Sequence, residues 1–578
     1  MYIQNAKSSP DPGAVFLPLK AFPAATIPAG ECLSTRLVAT IFRVFFVRNG
    51  YLRKYFETSE CFSSRMAELE SVGYQHLIEH LNLGAQVRPL EAPAYLNGSV
   101  NQKVRGHNGF WYPRKTAVEQ TLIGHVEFAL RNEGVNLEVL EAVFEHLAEA
   151  ELLRRWSESP NSAFVRRACF FWEWLTGGNL VVDKSPSGAY VDALPEADYF
   201  TADSAHAIRH PKFRVRDNLP GTRDFCPLVQ CTALAAGPSL DDLLDEASLT
   251  LEQITDATLY ERAARYLFLS ETRNSYSIER ETPSGNKGER FVQLLARAGE
   301  EERISEEWLV DLQNVIVRDT YAQEASYRAK QNWLEDGTGR VTFFPPPPED
   351  LARAMRGWEA FINEQSGAGG YRCPNVLVRS ACAAFGFVYL HPFLDGNGRI
   401  HRFLIHHVIN GARRLKGGAI VPVSAVFRRH EDLYLDVLNG FSRPTTRLWR
   451  YAPGEDAPHV VSSPGGRPYR FFDATGEVRF LHRMLIEAVR TELPRELHWP
   501  SRFDAAFEQL NGELNLPRPD LSALIRMVQS NNGRLSSNKR KTYPHLPDEV
   551  IARIEEVVRE AFNPASAQTS GDDESSQP

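Results

Sequence analysis

The stretch His391-Pro392-Phe393-Leu394-Asp395-Gly396-Asn397-Gly398-Arg399-Ile400-His401-Arg402 places two imidazoles, a carboxylate, a Gly-Asn-Gly run and two guanidinium groups close together in one short segment. Apolar segments flank it. Asn375 to Leu390 (NVLVRSACAAFGFVYL) is apolar almost all round, the pattern of a helix buried in the middle of its domain. Arg399 to Asn410 (RIHRFLIHHVIN) resumes a helical pattern until Gly411. The fold predicted around this stretch is therefore mainly α.

A helix opening at Arg399 turns the free main-chain N–H groups of the preceding Gly396-Asn397-Gly398 turn, and the positive end of its dipole, towards an anion. The glycines allow close approach and positive φ. Arg399 and Arg402, three apart, reach the same face and can hold a polyphosphate bidentately. Asp395 is placed to bind a divalent cation, and Mg²⁺ prefers one or two carboxylates plus phosphate oxygens. His391 has an ordinary pKa near neutrality, hence is a candidate general base for a hydroxyl nucleophile. The inventory is that of a phosphoryl or nucleotidyl transfer site. A Gly-Asn-Gly link can be only a loop, and a lone buried histidine is usually structural. The pattern H-P-F-x-[D/E]-G-N-G-R-x-x-R, filled at every specified position, is what separates the two readings.

Working outwards, Gln331 to Phe344 (QNWLEDGTGRVTFF) reads as a hairpin around Asp336-Gly337, and Pro345 to Pro348 set a stiff entry into a helix from Glu349 to Asn363. Asp256 to about Glu281 is a long helical pattern stopped at Thr282-Pro283, and Ser239 starts a capped acidic helix before it. Gly288 to Ala298 and Ser305 to Thr320 read as further helices.

The chain divides into residues 1–235, a helix-rich domain with some extended connections; 236–455, the domain built around the opening stretch; 456–562, a C-terminal helical domain; and 563–578, a polar tail that reads as disordered. In the first, Thr116 to Asn132 and Asn136 to Trp156 are expected to form a helical hairpin about Gly134, and Ser162 caps a helix to Leu175. The aromatic residues of that last helix read as core rather than a base-stacking surface. His206 and His210, with Asp203 nearby, would share a helix face but lack a third convincing metal ligand. In the C-terminal domain Arg534, Lys539, Arg540 and Lys541 read as a solvated helix boundary, since no groove-reading pattern accompanies them.

The formal net charge of -8 argues against a general nucleic-acid binder, and no window offers the roughly 18 apolar residues a membrane span needs. Seven scattered cysteines with no Cys-x-x-Cys pair, and no visible secretory signal, point to reduced thiols and a cytoplasmic protein. No G-x-x-x-x-G-K-[ST] occurs, which disfavours a Walker-type ATPase.

Residues 391–402 resemble the signature of the Fic family of protein adenylyltransferases. The resemblance implies an all-helical Fic core with a small β-hairpin flap, ATP with Mg²⁺, and transfer of AMP to a Ser, Thr or Tyr hydroxyl of a target protein. It implies His391 as base, Asp395 on Mg²⁺, Asn397 and the Gly396 and Gly398 amides on the α- and β-phosphates, and Arg399 and Arg402 on the triphosphate. The hairpin at 331–344 resembles the family's flap, which adds a strand of the target to its edge. Tyr434-Leu-Asp-Val-Leu438 resembles the later helix that closes over adenine, with Leu435 where a second tyrosine is common. Ser275-x-x-x-Glu279 resembles the inhibitory pattern [S/T]-x-x-x-E-[G/N], in which the glutamate pairs with the second signature arginine, here Arg402; Arg280 stands where Gly or Asn is usual. The expected activity is autoinhibited adenylylation. Removal of AMP, transfer of another phosphate-bearing group, and a nucleotide-sensing interaction protein are the alternatives, and a homo-oligomer is left open.

Overall fold

The computed structural model describes residues 69–562 except 203–206, 283–284, 301–302, 318–322, 364, 367–369 and 455–456. Asp203, His206, Cys32, Cys61 and the tail from 563 lie outside the described residues. Among the described residues the chain is mainly helical, with short strands, and forms two compact units.

The smaller unit holds residues 69–80 and 90–133. Strand β1 (Glu70–Val72), helix α1 (Tyr74–His80), strands β2 (Ala94–Asn97), β3 (Val104–Arg105) and β4 (Phe110–Pro113) and helix α2 (Leu122–Asn132) make it up. The sheet order is β1-β2-β4-β3, with β2 and β4 parallel and the other pairs antiparallel. Val72, Ala94, Leu96, Tyr112 and Phe128 form its core. Helix α2 starts later than the periodicity at 116–132 predicts, because Thr121 caps it by accepting from Gly124 N.

The larger unit comprises residues 81–89 and 134–562. The helix expected over 136–156 is two helices, α3 (Leu137–Phe144) and α4 (Glu149–Glu158), followed by α5 (Ala163–Thr176), which ends at Gly177 in the left-handed region. Beyond it β5 (Val191–Asp192), β6 (Ile208–His210) and β7 (Val215–Asp217) form a three-stranded sheet in the order β5-β7-β6. These strands are too short for alternation to show in the sequence. His210, at the end of β6, packs edge-on to Phe170 at 5.1 Å.

Next come α6 (Leu240–Glu252), whose Ser239 and Asp242 make a capping box, and α7 (Ala257–Ile278), capped by Asp256. After α8 (Gly285–Ala296) and α9 (Glu306–Ile316), β8 (Leu334–Glu335) and β9 (Val341–Phe343) pair antiparallel. The loop between them is wider than a two-residue turn: the Asp336 carboxylate gathers Thr338 N, Thr338 Oγ1 and Arg340 N. Helix α10 (Pro348–Asn363) follows the prolines.

Helix α11 (Val376–Leu390), capped by Asn375, is buried from Leu377 to Leu390, as its all-round apolar sequence requires. It packs along α12 (Asn397–Ala412), and the two form the centre of one continuous core running from Phe225 to Leu497. Helices α13 (Val423–Arg429) and α14 (Glu431–Thr446) follow, then a hairpin of β10 (Arg450–Ala452) and β11 (His459–Ser462), and α15 (Thr475–Glu487). Helices α16 (Trp499–Glu513), α17 (Arg518–Ser530) and α18 (Asp548–Phe562) close a separate core around Leu510, Leu524, Ile525 and Ile554. There Arg540 is tied to the carbonyls of Tyr543 and Leu546 and to Asp548, a helix-boundary role.

No described helix is long and apolar enough to cross a membrane.

Candidate active site

The site lies where α11 ends and α12 begins. His391, the C-cap of α11, takes φ +49°, which turns the chain sharply out of the helix. Its Nδ1 lies 3.2 Å from the Val388 carbonyl oxygen. A carbonyl only accepts, so the ring donates from Nδ1 and Nε2 is left as the basic nitrogen. Nε2 is buried and has no hydrogen-bond partner among the described residues. Burial and then the nearby Arg328 guanidinium push the His391 pKa down to about 4, against the Val388 carbonyl and Glu279.

Helix α12 opens earlier than the sequence pattern suggests. Gly396, at φ +89°, is the N-cap, and Asn397 and Gly398 belong to the first turn instead of a preceding loop. The Asn397 side chain is committed at both ends to the main chain of Phe393, accepting from its N at 3.1 Å and donating to its O at 2.8 Å. Both bonds shape the 393–397 loop. Asp395 Oδ1 accepts from Gly396 N at 2.6 Å and Arg399 Nη2 at 2.8 Å.

Both arginines are 1% exposed and both are engaged by residues at the end of α7. Arg402 donates from Nε to Ser275 Oγ at 2.9 Å and from Nη2 to Ser275 O at 2.7 Å and Glu279 Oε1 at 2.9 Å. Arg399 lies over the Tyr276 ring at 5.1 Å and donates to Glu281 Oε2 at 2.8 Å. A Cβ at Gly398 would fall 2.1 Å from Glu279 Oε1, so only glycine admits the carboxylate there. The helix N-terminus thus already carries an anion, supplied by the chain itself. Burial would raise the Glu279 pKa, yet Arg402 and Arg399 together hold it below the ordinary carboxylate value.

The end of α7 also accounts for position 280. Glu281 N donates to Tyr276 O and Arg280 N to Ser277 O, each at 3.0 Å, which is a Schellman cap with Arg280 in the left-handed region at φ +57°. Gly and Asn adopt that conformation at least cost, and Arg280 adopts it nonetheless.

Two contributors were not visible in the sequence. Glu281 stands beside an expected residue but its pairing with Arg399 depends on the α7 cap. Arg328 carries no local signal. Tyr434 is 4% exposed, buried among Phe385, His401, Phe427 and Phe480, and is not on an open surface.

Residues 303–409 match the model of the Fic/DOC family. The chain carries a Fic domain. The match spans α9 to α12 with the hairpin between, and stops short of the α7 cap. Over 137 residues the chain is 27% identical to Protein adenylyltransferase Fic of Nematostella vectensis, covering 23% of this chain and 28% of that protein. It spans less than a third of that relative's length. Among solved structures, a Fic-domain-containing signaling protein of Bacteroides thetaiotaomicron is 16% identical with a TM-score of 0.31, covering 44% of this chain and 96% of that one. A Fic family protein of Desulfovibrio desulfuricans is 18% identical with a TM-score of 0.32, covering 58% and 91%.

Proposed function

We propose that the protein is an Mg²⁺-dependent protein adenylyltransferase restrained by its own Glu279. The observation that supports this best is the pairing of an anion-filled helix N-terminus, Glu279 over Gly398 and on Arg402, with the basic, unpartnered Nε2 of His391. A site whose cradle already accepts a carboxylate has the donors a phosphate needs.

In this reading ATP displaces Glu279, and its phosphates take the amides at the start of α12 and the guanidinium groups of Arg399 and Arg402. His391 Nε2 removes the proton of a target Ser, Thr or Tyr hydroxyl. The oxygen forms a bond to the α-phosphorus while the bond to the bridging oxygen breaks, and pyrophosphate leaves with that electron pair. Among the described residues no cluster of three or more His, Cys, Asp or Glu could cage a metal. Asp395 would hold a Mg²⁺ that arrives with the nucleotide, and the ion would supply neutralisation of charge on the leaving group. The target would lie along β8–β9, whose strands pair only with each other among the described residues and leave an edge for strand addition. Tyr434 is assigned to the adenine side.

Intact-mass measurement of the chain and of acceptor proteins after incubation with ATP and Mg²⁺ tests the reading. A gain of one AMP in Glu279→Gly that vanishes in the His391→Ala, Glu279→Gly double variant supports it. Label retained only from the γ-phosphate would replace it with kinase action, and ATP binding without turnover with a nucleotide sensor.

A further inference from the structure

Arg328 is 5% exposed and has no carboxylate partner in any described ion pair or hydrogen bond. Its donors all end on main-chain oxygens. Nε donates to His391 O at 2.9 Å, Nη1 to Lys330 O at 3.1 Å and Nη2 to Pro346 O at 2.6 Å, while its own N donates to Pro392 O at 2.8 Å. Those acceptors belong to three separate pieces: the base and the residue after it, the entry to the β8–β9 hairpin, and its exit at the prolines. Burying a guanidinium against carbonyls alone is costly, and burial lowers its pKa towards about 10, with Tyr469 and Glu349 opposing. A buried charge kept at that cost and spent on three carbonyls marks a point where geometry is fixed.

We propose that Arg328 is a positioning residue that locks the His391 backbone to both roots of the hairpin, so that a hydroxyl presented along β8–β9 arrives in register with Nε2. The inference rests on the reading of His391 as base and of the hairpin as the acceptor-presenting element. It has a second component. The guanidinium, hydrogen-bonded to the His391 carbonyl, acts on the ring together with Glu279 and the Val388 carbonyl from α7 and α11, and its charge favours the neutral imidazole. The planar fork reaches its three acceptors from three separate nitrogens, Nε, Nη1 and Nη2, a spread that the single nitrogen of an ammonium cannot reproduce.

The test uses the full chain with Glu279→Gly as the parent, comparing Arg328→Lys and Arg328→Gln. Folding is checked by thermal melting, ATP turnover by AMP incorporation, and the His391 ring by NMR of ¹³C-histidine-labelled protein, its signal assigned by loss in His391→Gln. Arg328→Lys keeps the charge and loses the fork: the expected result is kcat lowered on the order of 100-fold, the cost of roughly 1 Å misplacement, with KM for ATP within about threefold. Arg328→Gln loses the charge: the His391 midpoint is expected to rise by about one unit. A folded Arg328→Lys with parental kcat overturns the positioning role. A His391 midpoint unmoved in Arg328→Gln overturns the electrostatic one. The ring titration needs no turnover, so it stands even if His391→Ala keeps full activity, the result that would instead defeat the reading of His391 as base.

Discussion

Replacing Glu279 with glycine removes one of three hydrogen bonds to Arg402 and leaves both Ser275 contacts in place. The arginine stays where it is, and the space over Gly398 empties. Glu279 ends α7 at φ −83°, ψ 8°, a conformation glycine adopts freely, so the helix end survives the change. The hydrogen bond that disappears is charge-assisted, joining a guanidinium 1% exposed to a carboxylate whose side chain is 20% exposed. Such a bond contributes about 1.5–3 kcal/mol net. If ATP must break it to seat its phosphates, its removal raises adenylylation by about 10- to 150-fold at subsaturating ATP. The assay is the initial rate of AMP incorporation from α-labelled ATP at several ATP concentrations, with circular dichroism to show the variant folded. Glu279→Gln, which keeps the bulk over Gly398 without the charge, is expected to fall between the two. A folded Glu279→Gly whose rate matches the parent, while His391→Ala abolishes that rate, would refute the restraint and spare the active site.

Glu281→Gln removes the partner of Arg399 but leaves Asp395 on it; a smaller gain, about two- to fivefold, is expected in the same assay. Arg280→Gly relieves a left-handed side chain worth about 1 kcal/mol, tightening the cap and lowering the basal rate about fivefold, read alongside slower amide exchange at 279–281. Since the His391 pKa is pushed down from 6.5 to about 4, the neutral base persists as pH falls: kcat/KM is expected to show no acid limb near 6.5, whereas stability is complete above 6.5 and declines as pH falls from there towards 4, seen as a falling melting temperature. Glu271 accepts from Ser424 N and Oγ and lies 2.8 Å from His406 Nε2, all buried; Glu271→Ala is expected to destabilise by about 3–5 kcal/mol in thermal or urea unfolding.

The helical frame was legible where the signals are local. Asn375, Asp256 and Ser239 cap the helices their positions suggest, and the Asp336-Gly337 and proline signals mark the hairpin. Boundaries that depend on the surroundings were not. Helix α12 starts at Asn397 because Gly396 takes positive φ and the Asn397 amide ties back to Phe393, and the 136–156 periodicity cannot reveal the break between α3 and α4. At the site, spacing places His391, Arg399 and Arg402 together, because they share one helix junction. The engagement of Arg399 by Glu281, and of the His391 carbonyl by Arg328 from 63 residues away, arises only from tertiary packing. Arg280 reads as a departure from a motif in the sequence and as a strained helix cap in the structure.

The buried Glu271, Ser424 and His406 contacts, with Ser270 Oγ on Glu496 at 2.6 Å, fasten α7 to the core a few residues before Glu279. Under the proposed function, a carboxylate mounted so close to its arginine would act as a tethered competitor, its strength an effective concentration set by the length and stiffness of the tether. Dilution of the protein cannot weaken it. In that reading relief would come from nucleotide occupancy or from loosening the last turn of α7, and the restraint would register chiefly as a raised apparent KM for ATP.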